Sequence, residues 1–292
     1  MYLVHSQRIK HRVVQKTIKY IGKKRHVPKK EFDCMKRSYQ DRDWILDGYS
    51  DLLSYKEHEE MQKLSDSYKR YLKSLDKVTA KKEEKRFLSA FIADSNAIEG
   101  STITPEETYN LLFEDIVPGG SSQKEIRMAT NMMEAWQYLE KNQNRMPGEK
   151  EICILHRSVN KDIEEDRTLG KYKNVQNYVG DTLTSSHLFV TEKMERLLRW
   201  ISKAFKKMDS YEVAFQSHAQ FELIHPFVDG NGRVGRLLLS WLLMNKRLMP
   251  LAIQNRKRPE YLSALKNAQR GKVEAICRFC YESYVDQYKS MA

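Results

Sequence analysis

The chain has 292 residues, enough for about two domains, and its 51 Lys and Arg against 39 Asp and Glu give a net charge of +12. With 31% charged residues, a mean hydropathy of −0.69 and no apolar run longer than Leu237–Met244, the sequence excludes an integral membrane protein. The N-terminus lacks the apolar stretch of a secretion signal, and four cysteines are too few for a disulfide scaffold, so a reducing, cytoplasmic location is expected.

Residues 1–30 carry most of the net charge, because they contain ten Lys and Arg residues and no acidic residue. β-Branched and aromatic residues in Tyr2–Val4 and Val13–Ile21 predict two short strands that form a hairpin. A basic hairpin could bind nucleic acid or an acidic partner, or it could be a solvated sheet face beside an unrelated domain. Residues 1–30 are therefore predicted to be a basic β-hairpin module.

The segment after the hairpin differs from it in charge and in apolar pattern. Residues 28–45 have mixed charge and lack a sustained apolar period, which predicts a linker. From about Trp44 onward, apolar residues recur at three- and four-residue steps, which predicts a mainly α-helical domain. The chain is thus divided into the hairpin, a linker with a helical segment over residues 31–80, and a helical domain over residues 81–290.

One predicted helix, Lys82–Ile98, ends at an acidic residue. Gly100 favours the left-handed conformation that commonly ends a helix, so Glu99 lies in the last turn. Because that end of a helix carries partial negative charge, Glu99 requires a cation from elsewhere in the chain. Taken alone, such a residue is more often solvated than functional. The next helix is predicted to begin with a capping box at Thr104–Glu107.

Residues His225–Arg236 form a polar loop, HPFVDGNGRVGR, between two strongly apolar predicted helices. Buried polar groups need partners, so this loop requires a ligand or a chemical role. Its glycines allow backbone N–H groups to form an anion site, and Arg233 and Arg236 are predicted to lie on one side of the second helix, where each could hold a phosphate. Asp229 could hold Mg²⁺ together with phosphate oxygens, and His225 can accept a proton near neutral pH. This combination suits phosphoryl or nucleotidyl transfer.

Other patterns carry less information. The loop also contains GxGxxG, but a helix precedes it and no acidic residue follows about 20 positions later, which excludes the dinucleotide fingerprint. Cys277 and Cys280 lack a second pair of metal ligands and are predicted to be helical core thiols. His156 and His218 lie among apolar residues and are predicted to be packing residues.

The polar loop resembles the motif of the Fic-domain family, HPFx(D/E)GNGRxxR, at every defined position. The resemblance covers about residues 80–285, including the helix around 155–159, the turn at 170–173 and a β-hairpin flap at 179–190 that lacks the paired prolines common in the family. It implies a mainly α fold, a Fic-type helical bundle with a small β-hairpin flap, preceded in this chain by the basic hairpin module.

The usual activity of this family is the transfer of AMP from ATP to a Ser, Thr or Tyr hydroxyl of a target protein. The resemblance implies that His225 is the general base, that Asp229 binds Mg²⁺ (or Mn²⁺ in its place), and that ATP is the co-substrate. It also implies that the target protein binds along the flap. The implied nucleotide-binding residues are Gly230, Asn231, Gly232, Arg233, Arg236, and, at the adenine, Tyr261 and Gln269.

Residues 95–100, SNAIEG, resemble the family's inhibitory motif, (S/T)xxxE(G/N), here on the N-terminal side of the polar loop. The resemblance implies that Glu99 pairs with Arg236 and blocks the γ-phosphate, with Ser95 in contact with the same helix or a phosphate. This pairing would supply the cation that Glu99 requires. The leading interpretation is an autoinhibited protein adenylyltransferase.

Several alternatives stay open. The same residues could serve a hydrolase that removes AMP from a modified protein, with Glu99 orienting water. The basic hairpin could direct a nucleic-acid-associated toxin or regulator. The family also contains phosphocholine and phosphate transferases, so the transferred group is open too, and family members of this kind often form homodimers.

Overall fold

The structure is a computed structural model that describes residues 1–9, 12–20, 22–23, 26–40, 48–179 and 182–290. Its strands are β1 (Tyr2–Ile9), β2 (Arg12–Tyr20), β3 (Tyr178–Val179) and β4 (Thr182–Leu183). Its α-helices are α1 (Lys29–Gln40), α2 (Tyr55–Ser74), α3 (Lys77–Ile98), α4 (Pro105–Phe113), α5 (Gln123–Asn142), α6 (Glu149–Asn160), α7 (Val190–Ala204), α8 (Ser210–Ile224), α9 (Asn231–Asn245), α10 (Arg258–Gln269) and α11 (Glu274–Lys289). The predicted mainly α fold is confirmed.

The N-terminal module combines a hairpin with a helix. β1 and β2 pair antiparallel, which confirms the predicted hairpin. The next segment differs from the predicted linker, because residues 29–40 form α1. Met35 of α1 is buried against Leu3 of β1 and Phe189, so contacts distant in sequence stabilise a helix that has few apolar residues. Trp44, the predicted start of the helical domain, lies outside the described residues.

Helices α8 and α9 form the centre of the helical domain. Nearly every residue of α8 from Tyr211 to Ile224 and of α9 from Asn231 to Leu243 is buried. Helices that are covered on all sides belong to a core. The helices that pack directly against this pair are α3, α5, α6, α7, α10 and α11. Cys277 and Cys280 on α11 are fully buried, as expected of core thiols. Among the described helices, none combines the length and apolarity needed to cross a bilayer.

Helix α3 leads directly to Glu99. It begins earlier than predicted, because Asp76 caps its N-terminus by accepting hydrogen bonds from the Val78 and Thr79 N–H groups. It ends as predicted, since Glu99 is its C-cap and Gly100 follows with a φ of 101°. The predicted capping box of α4 is also present.

The flap is shorter than the sequence suggests. β3 and β4 pair antiparallel, with residues 180–181 outside the described part of the chain. The second half of the predicted flap is not a strand: residues 187–189 form a 3₁₀ turn, and Val190 begins α7. Phe189 and Val190 are buried, so core packing rather than strand pairing determines this segment.

Candidate active site

The loop between α8 and α9 begins with a strained residue. His225 adopts a left-handed conformation, with φ of 51° and ψ of 63°. A residue before proline is ordinarily extended, so the sequence predicts the end of α8 correctly but not this conformation. Left-handed backbone at a residue other than glycine raises the free energy of the fold and is concentrated at functional sites.

Hydrogen bonds and stacking hold the loop in shape. Asn231 Oδ1 accepts the Phe227 N–H at 2.8 Å, and Asn231 Nδ2 donates to the Phe227 carbonyl at 3.0 Å. The buried Phe227 ring stacks on His156 with a centroid distance of 3.9 Å, and His156 Nδ1 accepts the Gly170 N–H at 2.9 Å. The Asn231 side chain therefore braces the loop, and its backbone N–H, in the first turn of α9, is the group left to face an anion.

Position 230 requires glycine for two reasons: its backbone conformation is left-handed, and there is no room for a side chain. It is the N-cap of α9 with a φ of 70°, and a Cβ there would collide with the Asn160 side-chain amide. We expect Gly230→Ala to lower the free energy of unfolding by about 1–3 kcal/mol in urea titrations. Gly119→Ala is the matched control, because a Cβ at Gly119 meets no atom within 4 Å. Equal effects of the two substitutions would contradict this role of Gly230.

Arg236 is fully buried and is bound by the C-terminal end of α3. Its Nη2 donates to Glu99 Oε1 at 2.7 Å and to the Ser95 carbonyl at 2.8 Å, while Nε donates to Ser95 Oγ at 2.8 Å. Burial is the largest single influence and lowers the pKa of Arg236, but the charge and hydrogen bond of Glu99, together with Tyr261 and Glu222, outweigh it, so the pKa is raised. Glu99 thus has the cation that its helix-end position requires.

The Glu99 carboxylate also covers the start of α9. A Cβ on Gly232 would collide with Glu99 Oε1, so the carboxylate lies directly against the first turn of that helix. Helix N-termini favour negative charge, which makes this the position that a phosphate would take. The Glu99 side chain is 36% exposed, so it can leave the position without unpacking the core.

Arg233 does not share the side of α9 that Arg236 occupies, which corrects the prediction for this pair. Arg233 Nη1 donates to the Val159 carbonyl at 2.9 Å, and Nη2 donates to Asn160 Oδ1 at 2.7 Å. The carbonyls at the end of α6 attract Arg233, while the acidic end of α3 attracts Arg236. The third guanidinium nitrogen of Arg233, the buried Nε, has no hydrogen-bond partner among the described residues.

A cavity of about 510 Å³ opens beside Arg236, within the size range of small-molecule sites. Tyr261 and Gln269 of α10, the two predicted adenine contacts, both line it. The phenol of Tyr261 is hydrogen-bonded to His218 at 2.9 Å, so its ring rather than its hydroxyl is available to a ligand. Arg258, which the sequence did not single out, ties the start of α10 to the Ile98 carbonyl at 2.9 Å.

His225 also lines this cavity, and its surroundings keep the imidazole uncharged. Burial, together with the nearby Lys173 ammonium, lowers the pKa of His225 to about 4, and the backbone carbonyl of Glu222 opposes that shift. The imidazole is therefore uncharged at neutral pH and can accept a proton. The Lys173 backbone lies against the loop, since its backbone N–H donates to the Pro226 carbonyl at 2.8 Å.

Glu222 is a buried acid that the sequence reasoning missed. It lies on α8 one turn before His225, and burial raises the pKa of its carboxyl to about 7 while Arg236 opposes the shift. Its Oε2 is 3.9 Å from His225 Nδ1. The available signal was a single charged side chain within the apolar run Phe221–Ile224.

Asp229 is exposed at the mouth of the loop, where Oδ1 accepts the Gly230 N–H at 2.7 Å. The described residues contain no cluster of three or more His, Cys, Asp or Glu side chains that could enclose a metal ion. Asp229 does not line the cavity beside Arg236 but a neighbouring one. A single exposed carboxylate next to the start of α9 fits Mg²⁺, which keeps several waters and is often bound by one or two carboxylates plus phosphate oxygens.

Residues 147–243 match the sequence model of the Fic/DOC family. The chain is 31% identical over 203 residues to the protein adenylyltransferase Fic of Drosophila erecta, a match that covers 68% of this chain and 41% of the relative. It thus spans less than half the length of the curated relatives it matches.

Solved structures show the same fold. A variant of Fic-1 from C. elegans superposes with a TM-score of 0.72 at 24% identity, over 81% of this chain and 71% of that chain. A Fic-domain-containing signaling protein from Bacteroides thetaiotaomicron superposes with a TM-score of 0.69 at 22% identity, over 79% of this chain and 94% of that chain. Both likenesses concern the fold.

Proposed function

Because this chain belongs to the Fic/DOC family through residues 147–243, we propose that it is an autoinhibited protein adenylyltransferase, which transfers AMP from ATP to a hydroxyl of a target protein. The observation that carries the proposal is one cavity lined by a neutral base, His225, a buried cation, Arg236, and the first turn of α9 at Gly232. A base beside an anion site is the minimum that phosphoryl-type transfer requires.

In the proposed reaction the target oxygen attacks the α-phosphorus of ATP as the bond to pyrophosphate breaks. The hydroxyl proton moves to Nε2 of His225, and pyrophosphate leaves with the electron pair. Nε2 is the accepting atom because Nδ1 lies on the side of the Glu222 carboxyl, whose Oε2 is 3.9 Å away. Base assistance of this kind contributes about 10²–10⁴ in rate.

The phosphates would lie along the start of α9. The backbone N–H groups of Asn231 and Gly232 would bind the α- and β-phosphates, and Arg236 would bind the γ-phosphate. Arg233 would contribute through its free Nε, since both of its terminal nitrogens are used by α6. The adenine would lie against the ring of Tyr261 and near Gln269.

Mg²⁺ or Mn²⁺ bound by Asp229 would neutralise phosphate charge during transfer. The Gly230 N–H donates a hydrogen bond to Asp229 Oδ1 and so holds the carboxylate in place for the metal ion.

Autoinhibition follows from the position of Glu99. Its carboxylate is bound to the Arg236 guanidinium, the proposed partner of the γ-phosphate, and lies against the first turn of α9, the proposed partner of the α- and β-phosphates. ATP would bind productively only after Glu99 has left, and the 36% exposure of its side chain is compatible with such a movement.

The flap and the N-terminal module would together receive the target protein. Leu3 and Met35 of the module pack against Phe189, and Lys30 Nζ lies 5.3 Å from the centre of the Tyr178 ring on β3. The module is therefore adjacent to the flap, where its positive charge would favour a target with an acidic surface.

The test uses ATP labelled at the α- or γ-phosphate, with Mg²⁺, and follows self-labelling of the Glu99→Gly variant by gel and intact mass. We expect label from the α-position only, with the mass of one AMP per modified hydroxyl. Label from the γ-position would establish phosphate transfer instead and overturn the proposed placement of the phosphates.

One observation favours a second activity, the hydrolytic removal of AMP from a modified protein. Glu99 presents a carboxylate beside the anion site, where it could orient a water molecule. If removal dominates, wild type will release AMP from an AMP-modified protein and Glu99→Gly will not. Equal release by both proteins would exclude this role of Glu99.

A further inference from the structure

The carboxyl group of Glu222 has no structural task that explains its burial. The residue is 8% exposed, and its Oε1 makes no hydrogen bond to any described residue. Leaving a buried carboxyl oxygen without a partner is unfavourable by about 1–3 kcal/mol. A glutamine, or an apolar side chain of similar size, would fill the same space without a charge.

Gly235 on α9 makes room for this carboxyl. A Cβ at Gly235 would collide with Glu222 Oε1 and would come within 3.1 Å of Phe221 Cδ1. Gly235 is helical and does not have a positive φ, so its backbone does not require glycine. The two helices therefore hold the Glu222 carboxyl in one position, with Oε2 3.9 Å from His225 Nδ1.

We propose that Glu222 is a positioning residue for His225: its ionised carboxyl orients the imidazole and stabilises the imidazolium that forms during transfer. This inference rests on the proposed function for its catalytic consequence. As the target oxygen bonds to the α-phosphorus and pyrophosphate leaves, the hydroxyl proton passes to Nε2 of His225. The ring then carries a positive charge in a buried site, and the Glu222 carboxylate on its Nδ1 side compensates that charge.

The ionisation of Glu222 depends on groups from several elements. Burial raises its pKa to about 7, Arg236 lowers the pKa, and Glu99 raises it. A carboxyl with a raised pKa is protonated as the pH falls through about 7, and its support for the imidazolium is lost in the same range. The charged or titratable groups facing it are Arg236 on α9, Glu99 at the end of α3, Tyr261 on α10 and His225 itself.

The kinetic test compares Glu222→Gln with its parent in the Glu99→Gly background. We expect kcat for AMP transfer to fall about tenfold or more while KM for ATP changes little, because the proposed role concerns His225 rather than the phosphates. The kcat of the parent should decrease as the pH falls from 8 to 6, and this decrease should be absent in Glu222→Gln. Unchanged kcat, or an unchanged pH profile, would overturn the proposal.

A second variant moves the carboxyl without removing it. Gly235→Ala should lower kcat when Glu222 is present and should have no further effect in a Glu222→Ala background, because the added methyl group then fills vacated space. Additive losses in this cycle would show that Gly235 acts independently of Glu222, which contradicts the proposed arrangement.

A measurement that does not depend on enzymatic activity tests this inference separately from the proposed function. Ring ¹⁵N chemical shifts of His225 in the wild-type protein should show an inflection near pH ~7 as Glu222 ionises, and Glu222→Gln should abolish it. If AMP transfer is absent but the inflection is present, the proposed function fails and the pairing of Glu222 with His225 stands. If the inflection is absent or survives in Glu222→Gln, the pairing fails.

Discussion

Glu99→Gly is expected to raise the rate of AMP transfer by at least ~10-fold at subsaturating ATP. Charge-assisted hydrogen bonds such as that from Arg236 Nη2 to Glu99 Oε1, at 2.7 Å, contribute about 1.5–3 kcal/mol. If that energy holds the inhibited arrangement, its removal increases the competent fraction by about 10- to 150-fold. The measurement is initial-rate labelling with α-labelled ATP across a range of ATP concentrations.

A matched control exists in the chain. Glu114 is the C-cap of α4, just as Glu99 is the C-cap of α3, but Glu114 is exposed and does not contact Arg236. Glu114→Gly should leave AMP transfer unchanged, whereas Glu99→Gln, which keeps the shape of the side chain but removes its charge, should give an intermediate rate. Equal rates for wild type and Glu99→Gly would refute autoinhibition by this residue.

The same substitution should have an opposite effect on stability. Without Glu99, Arg236 keeps its bonds to Ser95 but loses its anionic partner in a buried site, so we expect the free energy of unfolding to fall by about 1–3 kcal/mol. ATP should then raise Tm more for Glu99→Gly than for wild type, because a phosphate can restore the missing charge. Together, higher activity and lower stability would distinguish release of a blocked site from a general improvement of the fold.

The sequence predicts the parts of the site that depend on local rules. The polar loop, the ends of α3 and α8, and the capping box of α4 follow from glycine, proline and capping residues whose effects extend only a few positions. The contact of Glu99 with Arg236 joins residues 137 positions apart, and its prediction came from the resemblance to the family's inhibitory motif. The charges alone indicated only that the helix-end carboxylate of Glu99 lacked a cation and that Arg236 lacked an anion.

The remaining features depend on contacts between elements that sequence periodicity does not contain. Helix α1 is stabilised by Met35 packing on Leu3 and Phe189, which no local pattern indicates. Arg233 turns away from Arg236 because the carbonyl groups at the end of α6 lie within its reach. Glu222 was missed for a related reason: one acid in an apolar helix acquires meaning only when its distance to His225 and the space left by Gly235 are known.

His225→Ala is expected to reduce AMP transfer in the Glu99→Gly background by about 10²–10⁴-fold, with little change in ATP binding. The imidazole lines the cavity, but the phosphate-binding groups of the proposed site are on α9, so the nucleotide should bind without it. Transfer rates with α-labelled ATP and ATP affinity by calorimetry separate the two effects. Replacement of the exposed His26 by alanine provides a control that removes a histidine from outside the cavity. A parallel loss of ATP affinity would instead assign His225 to nucleotide binding.

The pH dependence of the reaction gives a further constraint on His225. Its pKa is lowered to about 4 by burial and by Lys173, so the ring is neutral, and able to act as a base, at any pH well above that value. The Glu222→Gln variant lacks the carboxyl that titrates near pH 7. Its kcat should therefore stay level down to about pH 5 and decrease only as the His225 ring itself becomes protonated. A decrease near pH 6.5 in that variant would mean that His225 titrates as an ordinary solvated histidine, and that its burial beside Lys173 does not set its basicity.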